Sequence, residues 1–252
     1  MSLALFKKHH QQLQKLLPNS ELPPSIVRRH LPREKVLIVS PHPDDEILQS
    51  SLALRLQTEN SMKVINVAVT LGSKVDQRKR RTSELTRAVK YLKFKNYILS
   101  ESWSEKKREL SEIIKKEKPS LIIAPHHLDQ HTTHQRTSTL VSDVTGSFSG
   151  TIAWSEFWSA QKSPNLLVEV PLDVFLKQYK ALEFHRGEIT RNPYHLRLQS
   201  WLIDNVRRGS EIINHSGSES APMLMGQLYR VSRNVSVDQC FALNSDDLSD
   251  WL

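Results

Sequence analysis

Two short clusters in this chain of 252 residues gather side chains that bind metals and carry protons. The first, Pro41-His42-Pro43-Asp44-Asp45-Glu46, holds one imidazole and three carboxylates. The second, Pro125-His126-His127-Leu128-Asp129-Gln130-His131-Thr132-Thr133-His134, offers four imidazoles and one carboxylate. Two imidazoles, one carboxylate and an open position for water form a typical catalytic zinc set. Hydrolysis needs in addition a group that handles the proton of the bound water. Neighbouring residues at a helix start point about 100° apart, so Asp44 and Asp45 aim differently and take different jobs. His42, Asp45 and His134 are the expected ligands, with His131 beside them as a proton donor. Spacing leaves His126 and His127 as rivals. The plainer reading makes Asp44 a helix N-cap and lets Asp45 and Glu46 complement the helix dipole. A single histidine is more often packed or exposed than a ligand; two clusters, each at a predicted strand end, favour metal.

The surrounding pattern says what must hold them. Lys35 to Ser40 reads as a buried strand and Ile47 to Leu56 as a helix, which puts the first cluster in a strand-to-helix turn stiffened by Pro41 and Pro43. Met62–Thr70, Tyr97–Leu99 and Leu121–Ala124 read as strands, with helices at Arg81–Leu92 and Glu105–Glu117 between them. Thr151–Trp158 and Leu166–Val170 read as further strands, Asp173–His185 and Tyr194–Ile213 as helices, and 214–221 as a polar loop. This alternation predicts an α/β fold with a doubly wound, mostly parallel sheet and helices on both faces. The C-terminal ends of its strands share one edge, so the two clusters meet in space. Residues 1–34 read as an amphipathic helix and a proline-rich connector (Pro18, Pro23, Pro24, Pro32), and 35–252 as one domain.

Composition narrows the classes. Hydrophobic content of 38% and charged content of 25% are ordinary for a soluble domain. No apolar run approaches a membrane span, no signal peptide is visible, and the lone Cys240 rules out an internal disulfide. A reducing cytoplasm is the expected location. The net charge of +8 is uneven: Lys74 to Lys95 carries nine basic residues against Asp76 and Glu84, whereas Asp246, Asp247 and Asp250 make the tail acidic. A solvated helix face is the plain reading of that basic run, and an anionic partner the sharper one. No nucleic-acid motif supports a nucleic-acid partner.

Pro41-His42-Pro43-Asp44-Asp45-Glu46 after a strand, followed by Pro125-His126-x-x-Asp129-x-His131-x-x-His134, resembles the LmbE/PIG-L family. Arg81-x-x-Glu84-Leu85 is similar to another segment of it, and the match runs from about Lys35 to Val141. The family are zinc-dependent de-N-acetylases of N-acetylglucosamine conjugates, including mycothiol, bacillithiol and phosphatidylinositol anchor precursors. The resemblance implies a Rossmann-like fold and Zn2+, or another divalent transition metal, on His42, Asp45 and His134. It implies Asp44 as general base, His131 as general acid or oxyanion stabiliser, and Arg81 as a substrate contact. The partner implied is an amino-sugar small molecule or glycoconjugate, with an anionic one as an option raised by the basic run. Three departures bear on substrate: Gln49-Ser50-Ser51 replaces a glycine-rich stretch, Thr70-Leu71-Gly72-Ser73 replaces an acidic motif, and Thr133 stands where Asp or Asn is usual.

The mechanism so implied is attack of metal-activated water on an acetamide, releasing acetate and a free amine. The competitors are a metal-dependent hydrolase of another amide or phosphoester, and a catalytically silent member of the fold. A non-haem Fe(II) oxygenase also uses two histidines and a carboxylate, but in a different architecture. No Walker or G-x-G-x-x-G loop supports nucleotide binding.

Overall fold

A computed structural model describes residues 3–15, 34–156, 158–214, 216–217, 220–232 and 241–243. The prolines of the connector, Cys240 and the acidic tail lie outside them. In chain order the elements are α1 (Leu3–Gln14), β1 (Lys35–Ser40), α2 (Asp45–Leu48), α3 (Ser51–Glu59) and β2 (Lys63–Ala68). Then come α4 (Arg78–Leu92), β3 (Lys95–Ile98), α5 (Trp103–Glu117), β4 (Leu121–Pro125), α6 (Thr132–Val144) and β5 (Thr151–Ser155). The chain continues with β6 (Leu166–Glu169), α7 (Leu172–Leu182), α8 (Arg186–Arg191), α9 (Tyr194–Asn214), β7 (Gly226–Ser232) and β8 (Phe241–Leu243).

The strands form one sheet in the order β3-β2-β1-β4-β5-β7-β6-β8. From β3 to β5 every pairing is parallel; β7 runs antiparallel to both β5 and β6. β1 is buried on both faces, which explains its unbroken apolar run. Val36, Ile38, Val64 and Ile123 join the core under α3, α4 and α7, whereas Leu37, Val39, Ile65 and Ile122 face α5 and α6. The fold is therefore α/β with helices on both faces, as expected. The chain winds away from β1 in both directions, with β2 on one side and β4 on the other. A crevice opens at the C-terminal strand ends where such a reversal occurs, and the two clusters follow these central strands. α1 packs on this frame by burying Phe6 edge-on against Phe175 and Tyr179, at ring distances of 5.6 and 5.0 Å.

Several elements differ from the periodicity reading, and helix α6 and strand β8 have no counterpart in it. The expected helix 47–56 is broken at Gln49 and Ser50. The freed groups there find partners far along the chain: Gln178 Nε2 donates to the Ile47 carbonyl (2.8 Å) and Gln227 Nε2 to that of Leu48 (2.9 Å). The helix expected over 173–185 ends at Leu182, and α8 starts after the turn at His185. Strand β7 has no counterpart in the sequence reading. Its Gln227 is buried to serve the α2–α3 break, so the alternation that marks a strand is blurred.

Candidate metal centre

The turn after β1 is held from several sides. The backbone N–H and the hydroxyl of Thr70 both donate to the Pro41 carbonyl, at 3.1 and 2.9 Å. Arg81 Nη2 donates to the Pro43 carbonyl at 3.1 Å. Asp44 has φ 112° and ψ −32°, a backbone conformation that costs a non-glycine residue about 1–3 kcal/mol. Its N–H donates to Glu46 Oε2 at 2.7 Å, and its carbonyl accepts from the N–H groups of Ile47 and Leu48. The Asp44 side chain makes no capping bond to α2, so its carboxylate is not spent as an N-cap.

Four expected residues converge beyond this turn. Asp45 Oδ2 lies 3.2 Å from His42 Nδ1 and 3.3 Å from His134 Nε2. One ring nitrogen from each of His42, His131 and His134 falls within 4.8 Å of the others. β4 and the N-terminus of α6 deliver the two later histidines. His131 is the N-cap of α6, its Nδ1 accepting the Thr133 N–H at 3.2 Å. In the neutral ring the proton then sits on Nε2. Asp129 orients both, with Oδ1 accepting the His131 N–H at 2.8 Å and Oδ2 lying 3.3 Å from His134 Nδ1. His134 Nε2 is buried and makes no well-aligned hydrogen bond, with only the Asp45 carboxylate close by at 3.3 Å. A metal ion would satisfy that atom, and a carboxylate behind the other ring nitrogen is the usual support of a histidine ligand. The donor set therefore fits a divalent cation.

The two adjacent aspartates are driven in opposite directions. Burial raises the Asp44 carboxyl well above the usual range, Asp45 adds to this, and Arg81 opposes it. Burial works the same way on Asp45, but His134 and His42 overcome it and hold Asp45 far below its ordinary value. Burial would lower His134, yet Asp45 and Asp129 push it up to about 10. His131 is lowered, first by burial and then by His42 and His134. Adjacent groups with separated affinities for a proton suit an acid–base pair of roles.

The cluster opens into a cavity of about 340 Å³ lined also by Thr70, Arg78, Trp103, Trp158 and Tyr194. Arg81 lines it, with Nη1 donating to the Leu71 carbonyl at 3.3 Å and Nε 3.4 Å from Glu188 Oε1. It clamps the loops after β1 and β2 to α8. Gly72 makes room for it, because a Cβ there would overlap Arg81 Nη1. Of the basic run, Arg78 and Arg81 turn into the cavity, while Lys74, Lys79, Arg87, Lys90, Lys93 and Lys95 are exposed. The rival histidines are engaged elsewhere: His126 Nε2 lies 2.7 Å from the Ser159 carbonyl, and the His127 ring lies 4.5 Å from that of Trp154. Sequence reasoning missed Asp129, Glu46, His185 and Glu188 as supports. The Asp129-x-His131 spacing was the available signal for the first, whereas His185 and Glu188 lie too far along the chain to be linked to the site.

Residues 37–145 match the sequence family described as GlcNAc-PI de-N-acetylase, PIG-L. This segment is similar to PIG-L domains. It spans β1 to the end of α6 and so contains both clusters. No curated protein matches the chain in sequence. Among solved structures, the N,N'-diacetylchitobiose deacetylase of Pyrococcus horikoshii aligns with TM-score 0.60 and 20% identity, covering 79% of this chain and 84% of that one. The zinc-inhibited form of teicoplanin deacetylase Orf2 aligns with TM-score 0.59 and 13% identity over 81% and 99% of the two chains. GalB, the 4-carboxy-2-hydroxymuconate hydratase of Pseudomonas putida KT2440, aligns with TM-score 0.62 and 13% identity over 79% and 95%. At these identities the chain shares their fold. The fold extends past the matched segment, into the part of the chain that supplies α8 and β7.

Proposed function

We propose that this protein is a metal-dependent deacetylase that removes the N-acetyl group of an N-acetylglucosamine-type conjugate. The observation that carries the reading is the convergence of His42, His131 and His134 ring nitrogens within 4.8 Å, with the Asp45 carboxylate beside His42 and His134 and Asp129 behind His134, at an open cavity. His42, Asp45 and His134 would hold the ion, and two imidazoles with one carboxylate suit Zn2+. His131 lies within reach of the same point. Bound there, the ion supplies Lewis-acid chemistry, making water acidic and polarising a carbonyl.

The chain's own groups do the rest. Asp44 takes the proton of the attacking water. Its side chain is free of capping duty and lines the cavity. A cation beside Asp44 lowers its proton affinity, which burial otherwise keeps high. The neutral His131 ring directs Nε2–H at the oxyanion that develops on the acetamide. The proton on Asp44 then goes to the departing amine, which is a poor leaving group without one. Arg81 orders the loops that carry Asp44 and contacts the substrate from the cavity wall. Trp103 and Trp158 line the cavity in which a sugar ring would sit.

Because a hydratase is among the proteins of this fold, the fold does not decide the reaction. Asp44→Asn does: it should retain the metal and lose about 10²–10⁴-fold in turnover. Wild-type turnover in a metal-loaded Asp44→Asn protein would overturn the role given to Asp44.

A further inference from the structure

One wall of the cavity is cationic in a way the metal chemistry does not use. Arg136 stands on α6, past His134, with its guanidinium carbon 3.7 Å from the centre of the Trp103 ring. Both side chains line the cavity that contains His131. Lys106 Nζ is 5.5 Å from the same ring, but it is buried and donates to the carbonyls of Val69 (2.8 Å) and Ser100. It is a structural post, with two of its three donors taken by these carbonyls. Arg78 pairs with Glu101 at 3.0 Å. Arg136 is exposed, and no carboxylate pairs with it among the described residues. Arg136, Lys106 and Arg78 thus gather on this wall, and Arg136 alone of the three makes neither an ion pair nor a carbonyl hydrogen bond among the described residues.

A guanidinium propped on an indole is fixed in place while its N–H edge stays free. That edge matches the two oxygens of a carboxylate or phosphate, and such charge-assisted bidentate bonds are strong and directional. The cavity volume of about 340 Å³ is at the small end of ligand pockets, so an aglycone attached to a buried sugar extends to the exposed part of the lining, where Arg136 stands. We propose that Arg136, braced by Trp103, binds an anionic group, phosphate or carboxylate, on the substrate away from the acetamide. The substrate class is then an anionic amino-sugar conjugate, an inference that rests on the deacetylase reading of the same cavity.

The test is calorimetric titration of the metal-loaded protein with sugars that lack an acetamide and stay intact whatever the reaction is. Glucosamine 1-phosphate and a carboxylate-bearing glucosaminide are compared with methyl glucosaminide, in wild type, Arg136→Gln and Arg136→Lys. Wild type should bind an anionic ligand about tenfold or more tighter than the neutral one. The ratio should collapse toward one in Arg136→Gln and be intermediate in Arg136→Lys, which keeps the charge but loses the fork. Whichever anion shows the effect identifies the group. Affinities within about twofold in wild type, or an unchanged ratio in Arg136→Gln, overturn the proposal. Amine release, assayed separately on the acetylated conjugates, reports on the reaction: selective binding without release would keep the anion site and remove the deacetylase reading.

Discussion

His185 Nε2 lies 2.8 Å from Glu46 Oε1, and both side chains are fully buried. The other oxygen of Glu46 accepts the N–H of Asp44, the residue with φ 112°. The turn between α7 and α8 therefore holds the unfavourable backbone of Asp44 in place through one carboxylate. A second link runs parallel to it, from Glu188 through Arg81 to the Pro43 carbonyl. Removing one partner from a buried pair costs about 3–5 kcal/mol, and loss of a residue behind a metal site typically costs about 10–100-fold in activity. His185→Ala should show both effects, in urea unfolding and in kcat, and His185→Gln, which keeps a donor, should recover much of the loss. An unchanged kcat in a folded His185→Ala protein would remove the positioning role.

Asp129 stands in the same relation to His134, 3.3 Å from its Nδ1. Asp129→Asn should weaken metal affinity by about 10–100-fold, read by competition with a chromophoric chelator. Affinity equal to wild type would mean that His134 is oriented by its packing alone.

Both relationships show where the sequence stops being legible. His42, Asp45, His131 and His134 could be brought together from sequence because each follows a β-branched run whose C-terminal end must lie on the shared edge. The helix break at Gln49 could not, since its cause is Gln178 and Gln227, more than a hundred residues away. The same holds for Glu188 against Arg81. Their carboxylate–guanidinium pairing is ordinary chemistry, but nothing local announces it. In β7, the buried Gln227 blurs the hydrophobic alternation on which a strand is recognised.

Gly72, at φ +92°, sits where the Arg81 guanidinium crosses the loop after β2. Gly72→Ala combines positive-φ strain with overlap, so a stability loss of more than about 1 kcal/mol is expected. Arg81 should also be displaced. Equilibrium urea unfolding checks the first effect; an unaltered midpoint would show that the loop shifts freely.

At the opposite end of the sheet, Glu117 accepts hydrogen bonds from Lys95 Nζ and Tyr97 OH, each at 2.6 Å, and from Lys35 Nζ at 2.9 Å. Lys95 and Tyr97, with Lys35 behind them and against the effect of burial, hold its carboxyl down to about 2 from an ordinary 4.5. A depressed folded-state value stabilises the protein above the unfolded value and is lost as pH falls. The stability difference between wild type and Glu117→Gln should be full at neutral pH, shrink below about 4.5 and vanish near 2. A difference that stays constant from pH 7 to pH 3 would contradict the assignment.

The central claim is a metal-dependent loss of an acetyl group, and amine release from a panel of N-acetylglucosamine conjugates tests it most directly. Metal-stripped and zinc-restored protein are compared side by side. The account predicts amine and acetate in equal amounts from the restored protein and none from the stripped one. Metal-loaded protein that releases no amine from any acetamide, or stripped protein that releases it as fast, would contradict it.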